Sequence, residues 1–154
     1  MFLGVSTLNL DAKGRLAIPA KYRNTLAQSC ASRVVVTINP DERERCLLMY
    51  PENEWFELAR NLSRRDSMHP TVRAMQRLMV GFASELELDS QGRILLSLEL
   101  REFAGLNKRV SLVGQVNKIE IWDEESWKGG QEQWLSDVRP GDSGLPEELK
   151  GLPL

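Results

Sequence analysis

The 154-residue sequence is poor in the side chains from which most catalytic and metal centres are built. It has one histidine, His69, and two cysteines, Cys30 and Cys46. Neither cysteine has a second cysteine or a histidine at ligand spacing, so no zinc site, other metal or cofactor is expected. Both thiols read as small apolar fillers rather than as a disulfide. There is no Gly-x-Ser-x-Gly elbow, no cysteine paired with a plausible base and no glycine-rich phosphate cradle, so no enzyme and no small-molecule substrate is expected. No apolar run approaches the roughly 20 residues of a membrane span. Met1-Phe-Leu-Gly-Val has neither the basic region nor the long apolar core of a signal peptide, and a cytoplasmic protein is expected. Acidic and basic residues nearly cancel, at a net charge of −2, which argues against a strongly basic nucleic-acid binder.

That average hides an asymmetry. Residues 1–77 carry 12 Lys+Arg against 8 Asp+Glu, and residues 78–154 carry 8 against 14. Within residues 1–23, Lys13, Arg15, Lys21 and Arg23 face the single Asp11. A polyanion would meet the amino-terminal part of the chain.

What the chain has is an internal repeat. Asp11-Ala-Lys-Gly14-Arg15 returns as Asp89-Ser-Gln-Gly92-Arg93, each after a Leu-x-Leu run and before an apolar one. In the same alignment Tyr22-Arg23 falls on Leu100-Arg101, and Val34-Val35-Val36 on Val110-Ser111-Leu112 after a small deletion. Leu48 to Trp55 then falls on Glu120 to Trp127. Both copies read strand, turn, strand, short helix, strand, turn, strand and an aromatic-closed helix start. The expected boundaries are a first unit over 1–60, a helical connector over 61–83, a second unit over 84–135 and a mobile tail over 136–154. In the connector, Pro70 opens a helix whose Val72, Met75, Leu78 and Met79 share one face, and Gly81 ends it. Units of about 45 residues are marginal alone, so the two bury their apolar faces against each other as one pseudo-twofold, mainly β domain with short helices (α+β).

The turns carry the candidate chemistry. Asp can bind backbone amides two residues on, and Gly accepts positive φ, so Asp11 and Gly14, like Asp89 and Gly92, shape a tight turn. Arg15 then offers a donor fork to a guanine edge or a phosphate, and Lys13 adds a mobile charge. The alternative is that Arg15 and Arg93 fold back on Asp11 and Asp89. The second turn keeps Arg93 but has Gln91 where the first has Lys13, with Glu85, Glu87 and Asp89 around it. A further alternative, Asp11 and Asp89 as a shared-proton hydrolytic pair, lacks the Thr/Ser-Gly that such sites use.

These residues resemble the MraZ family of bacterial regulators. The doubled Asp-x-x-Gly-Arg, the Tyr50-Pro…Trp55 and Trp122-Asp…Trp127 closures and the Gln76-Arg77-Leu78 segment carry the resemblance over essentially the whole chain. It implies two SpoVT/AbrB-like units in an internally duplicated, intertwined, swapped-hairpin β-barrel. It also implies a ring-shaped homo-oligomer that binds double-stranded DNA at tandem direct repeats ahead of the division and cell-wall gene cluster, usually repressing it, in association with the nucleoid. Lys13 and Arg15, shaped by Asp11 and Gly14, are the implied DNA contacts. Asp89, Gln91, Gly92, Arg93, Lys21 and Arg23 are secondary contacts or interface residues. A second class of function is an oligomeric protein-binding scaffold or antitoxin-like partner without specific DNA readout.

Overall fold

A computed structural model describes residues 1–138 and 146–153. The chain divides into two compact units, Met1–Glu124 and Glu125–Leu154. The first contains nearly all the regular structure. Strands β1 (Val5–Asn9) and β2 (Arg15–Ala17) flank the first turn, and α1 (Ala20–Cys30) follows Pro19. Next come β3 (Arg33–Ile38), β4 (Leu47–Pro51), α2 (Glu52–Ser63) and α3 (Pro70–Met75), the last continuing as a π-helical turn over Gln76–Val80. The second copy supplies β5 (Ser84–Glu87), β6 (Arg93–Leu95), α4 (Leu98–Phe103), β7 (Arg109–Gly114) and β8 (Ile119–Asp123).

Among the described residues all six strand pairs are antiparallel, and four of them cross between the repeats. The six-stranded sheet runs β1-β7-β8-β4-β3-β5, while β2 and β6 form a separate two-stranded ribbon. The edge strand β1 pairs with β7 of the other copy, Val5 opposite Val113 and Asn9 opposite Arg109. Reciprocally, β5 pairs with β3, Arg33 opposite Glu87. The two copies meet at β4 and β8, centred on Leu48 opposite Glu120. The sheet is open, with β1 and β5 at its edges.

Period-2 alternation explains what each strand buries. Val34, Val36, Ile38, Leu47, Met49, Val110, Leu112, Ile119 and Ile121 face one shared core with Leu16, Ile18, Ile94 and Leu96 of the ribbon segments. Tyr22 and Leu100, equivalent in the repeat, plug this core from α1 and α4. On β3 and β4 the opposite face is also buried, at Val35, Thr37, Leu48 and Tyr50. There Trp55 of α2 packs on Tyr50, with ring centroids 5.7 Å apart, and Thr37 Oγ1 donates to the Met79 carbonyl at 2.6 Å. The helix expected over the connector thus becomes α3 plus a wider π turn, whose Met79 carbonyl serves as that acceptor.

Two local details add to the expected pattern. The short helix of the first repeat runs on to Cys30, where Ala31 and Ser32 end it with positive φ of 53° and 61°. Trp127, which the repeat alignment sets on Trp55, has an aromatic neighbour later in its own helix. In the second unit Trp127 lies against Trp134 of α5 (Glu124–Asp137), centroids 5.1 Å apart. A Cβ on Gly130 would lie 2.5 Å from the Trp134 ring. Of the expected carboxy-terminal tail, residues 139–145 and 154 lie outside the described residues, and Glu147–Leu149 form a single 3-10 turn.

Candidate nucleic-acid interface

Each Asp-x-x-Gly-Arg turn is closed by its own aspartate. Asp11 Oδ1 accepts the backbone N–H of Lys13 at 3.0 Å and of Arg15 at 2.8 Å. The main chain closes in both directions, Gly14 N–H to the Asp11 carbonyl at 3.0 Å and Asp11 N–H to the Arg15 carbonyl at 3.0 Å. Asp89 Oδ1 repeats this with Gln91 and Arg93, both at 2.9 Å. Gly14 and Gly92 take the positive φ that the turn requires, 89° and 74°, which a Cβ disfavours.

The arginines do part of both things open to them. Arg15 Nε donates to Asp11 Oδ2 at 2.6 Å and Arg93 Nε to Asp89 Oδ2 at 3.0 Å. Among the described residues no hydrogen bond engages the terminal Nη groups of either. The Nε anchor therefore holds each guanidinium beside its own turn and leaves its Nη donors uncommitted. The backbone amide of Arg15, followed by its side chain, holds Asp11 below the usual carboxylate range, and the amides of Arg93 and Gln91 do the same for Asp89. Two ionised carboxylates, each committed to its own turn, do not make a pair that shares a proton.

The ribbon decides where these forks go. In β2 and β6, Leu16 and Ile94 face inward and are buried, and they lie opposite each other. Arg15, Ala17, Arg93 and Leu95 consequently share the outward face, with Arg15 opposite Leu95 and Ala17 opposite Arg93. The two arginines are diagonal neighbours, a relation that spans about 7–8 Å on a paired ribbon. The side chain of Lys13 is exposed at the first tip, and Gln91 holds the same place at the second. Glu85 and Glu87 belong instead to the edge of the large sheet, opposite Val35 and Arg33.

Lys21 and Arg23, also candidates, go elsewhere. Lys21 Nζ lies 3.4 Å from the Leu3 carbonyl and 4.8 Å above the Tyr22 ring. Arg23 reaches across to the other repeat, so that a Cβ on Gly92 would lie 2.2 Å from its Cδ and 2.7 Å from Nη1. Its repeat equivalent, Arg101, crosses in the opposite direction, with Nε and Cζ 2.8 and 2.9 Å from the Cβ position of Gly14. Arg101 Nε also donates to the Leu96 carbonyl at 3.1 Å. The backbone follows the same crossing: Leu96 N–H bonds the Gly14 carbonyl at 2.8 Å and Ile18 N–H the Gly92 carbonyl at 2.9 Å. Arg101 was not among the candidates. Its alignment with Arg23 was the one available signal, and nothing local indicates that either would lie across the partner repeat's turn.

Among the described residues no group of three or more His, Cys, Asp or Glu is placed to hold a metal, and no helix is long and apolar enough to cross a membrane. Both cysteines are free thiols. Burial, with Glu120 adding to it, pushes Cys46 up to about 12, which makes it a packing residue rather than a nucleophile.

The family model described as "MraZ protein, putative antitoxin-like" matches residues 1–78 and again 79–137. A protein of Halorhodospira halophila named transcriptional regulator MraZ is 47% identical over 154 residues, all of both chains. Its namesake from Thioalkalivibrio sulfidiphilus is 50% identical over 137 residues, 89% of each chain. That from Coxiella burnetii is 45% identical over 154 residues, again all of both. With two copies of the family's unit and relatives matched along their whole length, the chain belongs to the MraZ family.

Proposed function

We propose that this protein is a sequence-specific DNA-binding transcription regulator, acting as a repressor at tandem direct repeats upstream of its own division and cell-wall gene cluster. The observation that carries the reading is the outward face of the β2–β6 ribbon, where Arg15 is anchored through Nε while its outer donors remain available. A two-stranded ribbon is of a size to enter the major groove, and an oriented guanidinium can take a guanine edge in two bonds. Lys13 supplies a phosphate contact beside it. Asp11 and Gly14 shape the tip. The naming of the full-length relatives as transcriptional regulators supports the same role.

A chain of net charge −2 neutralises few phosphates alone, and affinity follows the number neutralised. A homo-oligomeric ring answers this, because several identical tips meeting several identical DNA boxes make the later contacts intramolecular. Head-to-tail contacts between unlike patches close such rings. In this reading the exchange of β1 and β5 is the swapped-hairpin arrangement, and the large sheet and ribbon are walls of one barrel-like core. The protein works in the cytoplasm, on the nucleoid.

The test is a gel shift on the chain's own upstream region at physiological salt. Arg15→Ala should weaken binding about 10- to 100-fold, as loss of a bidentate base contact does. Binding equal to wild type removes the mechanism. The antitoxin-like wording of the family description favours one other reading, an oligomeric partner protein in which the turns hold subunits together. In that case Arg15→Ala changes the particle mass in light scattering and leaves no specific DNA shift to lose.

A further inference from the structure

We propose that Arg101 is a positioning residue for the Lys13–Arg15 tip, so that the helix of one repeat sets the DNA-contacting turn of the other. The inference rests on the DNA-binding reading for its consequence, but its geometry stands alone. Three features converge on Gly14. Its missing side chain leaves room that the Arg101 guanidinium occupies, at 2.8 Å from the Cβ position. Its carbonyl is held by the Leu96 amide at 2.8 Å. The Leu96 carbonyl in turn accepts from Arg101 Nε at 3.1 Å. The guanidinium is thus tied to the residue whose amide holds the turn, and it fills the space beside the turn's glycine. A planar, delocalised cation suits this place, whereas an ammonium on a flexible stem cannot both fill the plane and aim one donor.

This arrangement removes a freedom that the turn's own bonds leave. Asp11 fixes the turn internally, but those bonds would all survive a rigid swing of the tip about the ends of β1 and β2. The crossing contact stops that swing, and a tip that must place a guanidinium on a base edge gains from such preorganisation. Arg23 stands in the same relation to Gly92. Its Nε is buried and has no hydrogen-bond partner among the described residues, so only the clamp on the first turn is hydrogen-bonded through Nε.

Two measurements on Arg101→Ala and Arg101→Lys test this, with Arg15→Ala alongside. In the free protein, amide hydrogen exchange should rise over residues 11–15 in both Arg101 variants and stay at the wild-type rate over 89–93. Specific DNA affinity should fall about tenfold or more, since small misplacements of a contacting group cost that much. The slope of log affinity against log salt should stay at the wild-type value, because no phosphate contact is lost. Unchanged exchange at 11–15 overturns the proposal. So does wild-type behaviour of Arg101→Lys, which would leave charge alone at work and which decides the matter if the alanine variant does not fold. A salt slope smaller by about 1 overturns it differently, making Arg101 a direct phosphate contact. Should Arg15→Ala bind DNA like wild type, the DNA-binding reading fails, and the exchange data still decide whether Arg101 sets the turn.

Discussion

Residues 11–15 and 89–93 fold into the same turn, with the same aspartate bonds, the same positive-φ glycine and the same Nε anchor on the arginine. They differ in what surrounds that frame. The first tip presents Lys13, and the second presents Gln91. The guanidinium across the first turn is hydrogen-bonded at Nε, and the one across the second is not. The parts that make the turn are the same in both copies, and the differences lie at the exposed tip residue and in the guanidinium that crosses behind it. Yet the ribbon sets Arg93 on the same outward face as Arg15, and the acidic Glu85 and Glu87 lie on the large sheet opposite Val35 and Arg33. The second turn is therefore nearer to the first in what it can touch than its flanking residues suggest.

The comparison breaks most sharply at the glycines. Gly14→Ala and Gly92→Ala should each cost about 1–2 kcal/mol for an unfavourable positive φ. Gly14→Ala should cost more, about 2–4 kcal/mol in all, because its Cβ would press at 2.8 Å on the Leu96 backbone carbonyl, which cannot swing away. The atoms nearest a Cβ at Gly92 are all in the Arg23 side chain. Urea midpoints measure the difference, and equal losses would mean that the backbone contact does not distinguish the turns.

Next comes DNA. Arg93→Ala should weaken specific binding by less than Arg15→Ala, about 2- to 10-fold against 10- to 100-fold. Equal losses in the same titration would make the two turns equal readers. A gain-of-function variant sharpens the same point: Gln91→Lys gives the second tip the cation of the first. It should strengthen binding a few-fold and steepen the salt slope by about 1 if that tip lies near a phosphate. No change in slope places the second tip away from the DNA.

The smallest effect concerns acid. Asp11 and Asp89 are both held below the usual carboxylate range in the folded state. A lowered folded value contributes stability that is fully present above about pH 4, the ordinary range for aspartate, and is lost as pH falls through the folded value. Asp11→Asn and Asp89→Asn should therefore flatten the loss of stability below about pH 4, slightly and to a similar extent. A larger flattening for one of them, followed by circular dichroism, would show which turn is the more tightly bonded.

Much of this molecule is encoded close to home along the chain. Asp11 reaches Lys13 and Arg15, Gly14 bends where only glycine bends freely, and alternating apolar residues declare which side of each strand is buried. Such features depend on residues a few positions apart, so reading them requires only short-range physical chemistry, and the repeat doubles every one of them. The sequence thus determined the turns, most of the strands and helices, the shared core and the candidate Arg15. The partner of each strand lies outside that reach, because β1 could in principle pair with its own repeat or with the other, and the burial pattern is the same either way. Only the tertiary structure decided that β1 lies on β7 and β5 on β3, that both turn arginines share one face, and that Arg101 rests on Gly14. Those contacts join residues far apart in the chain, through backbone bonds any residue can make and through a vacant Cβ position that no side chain announces.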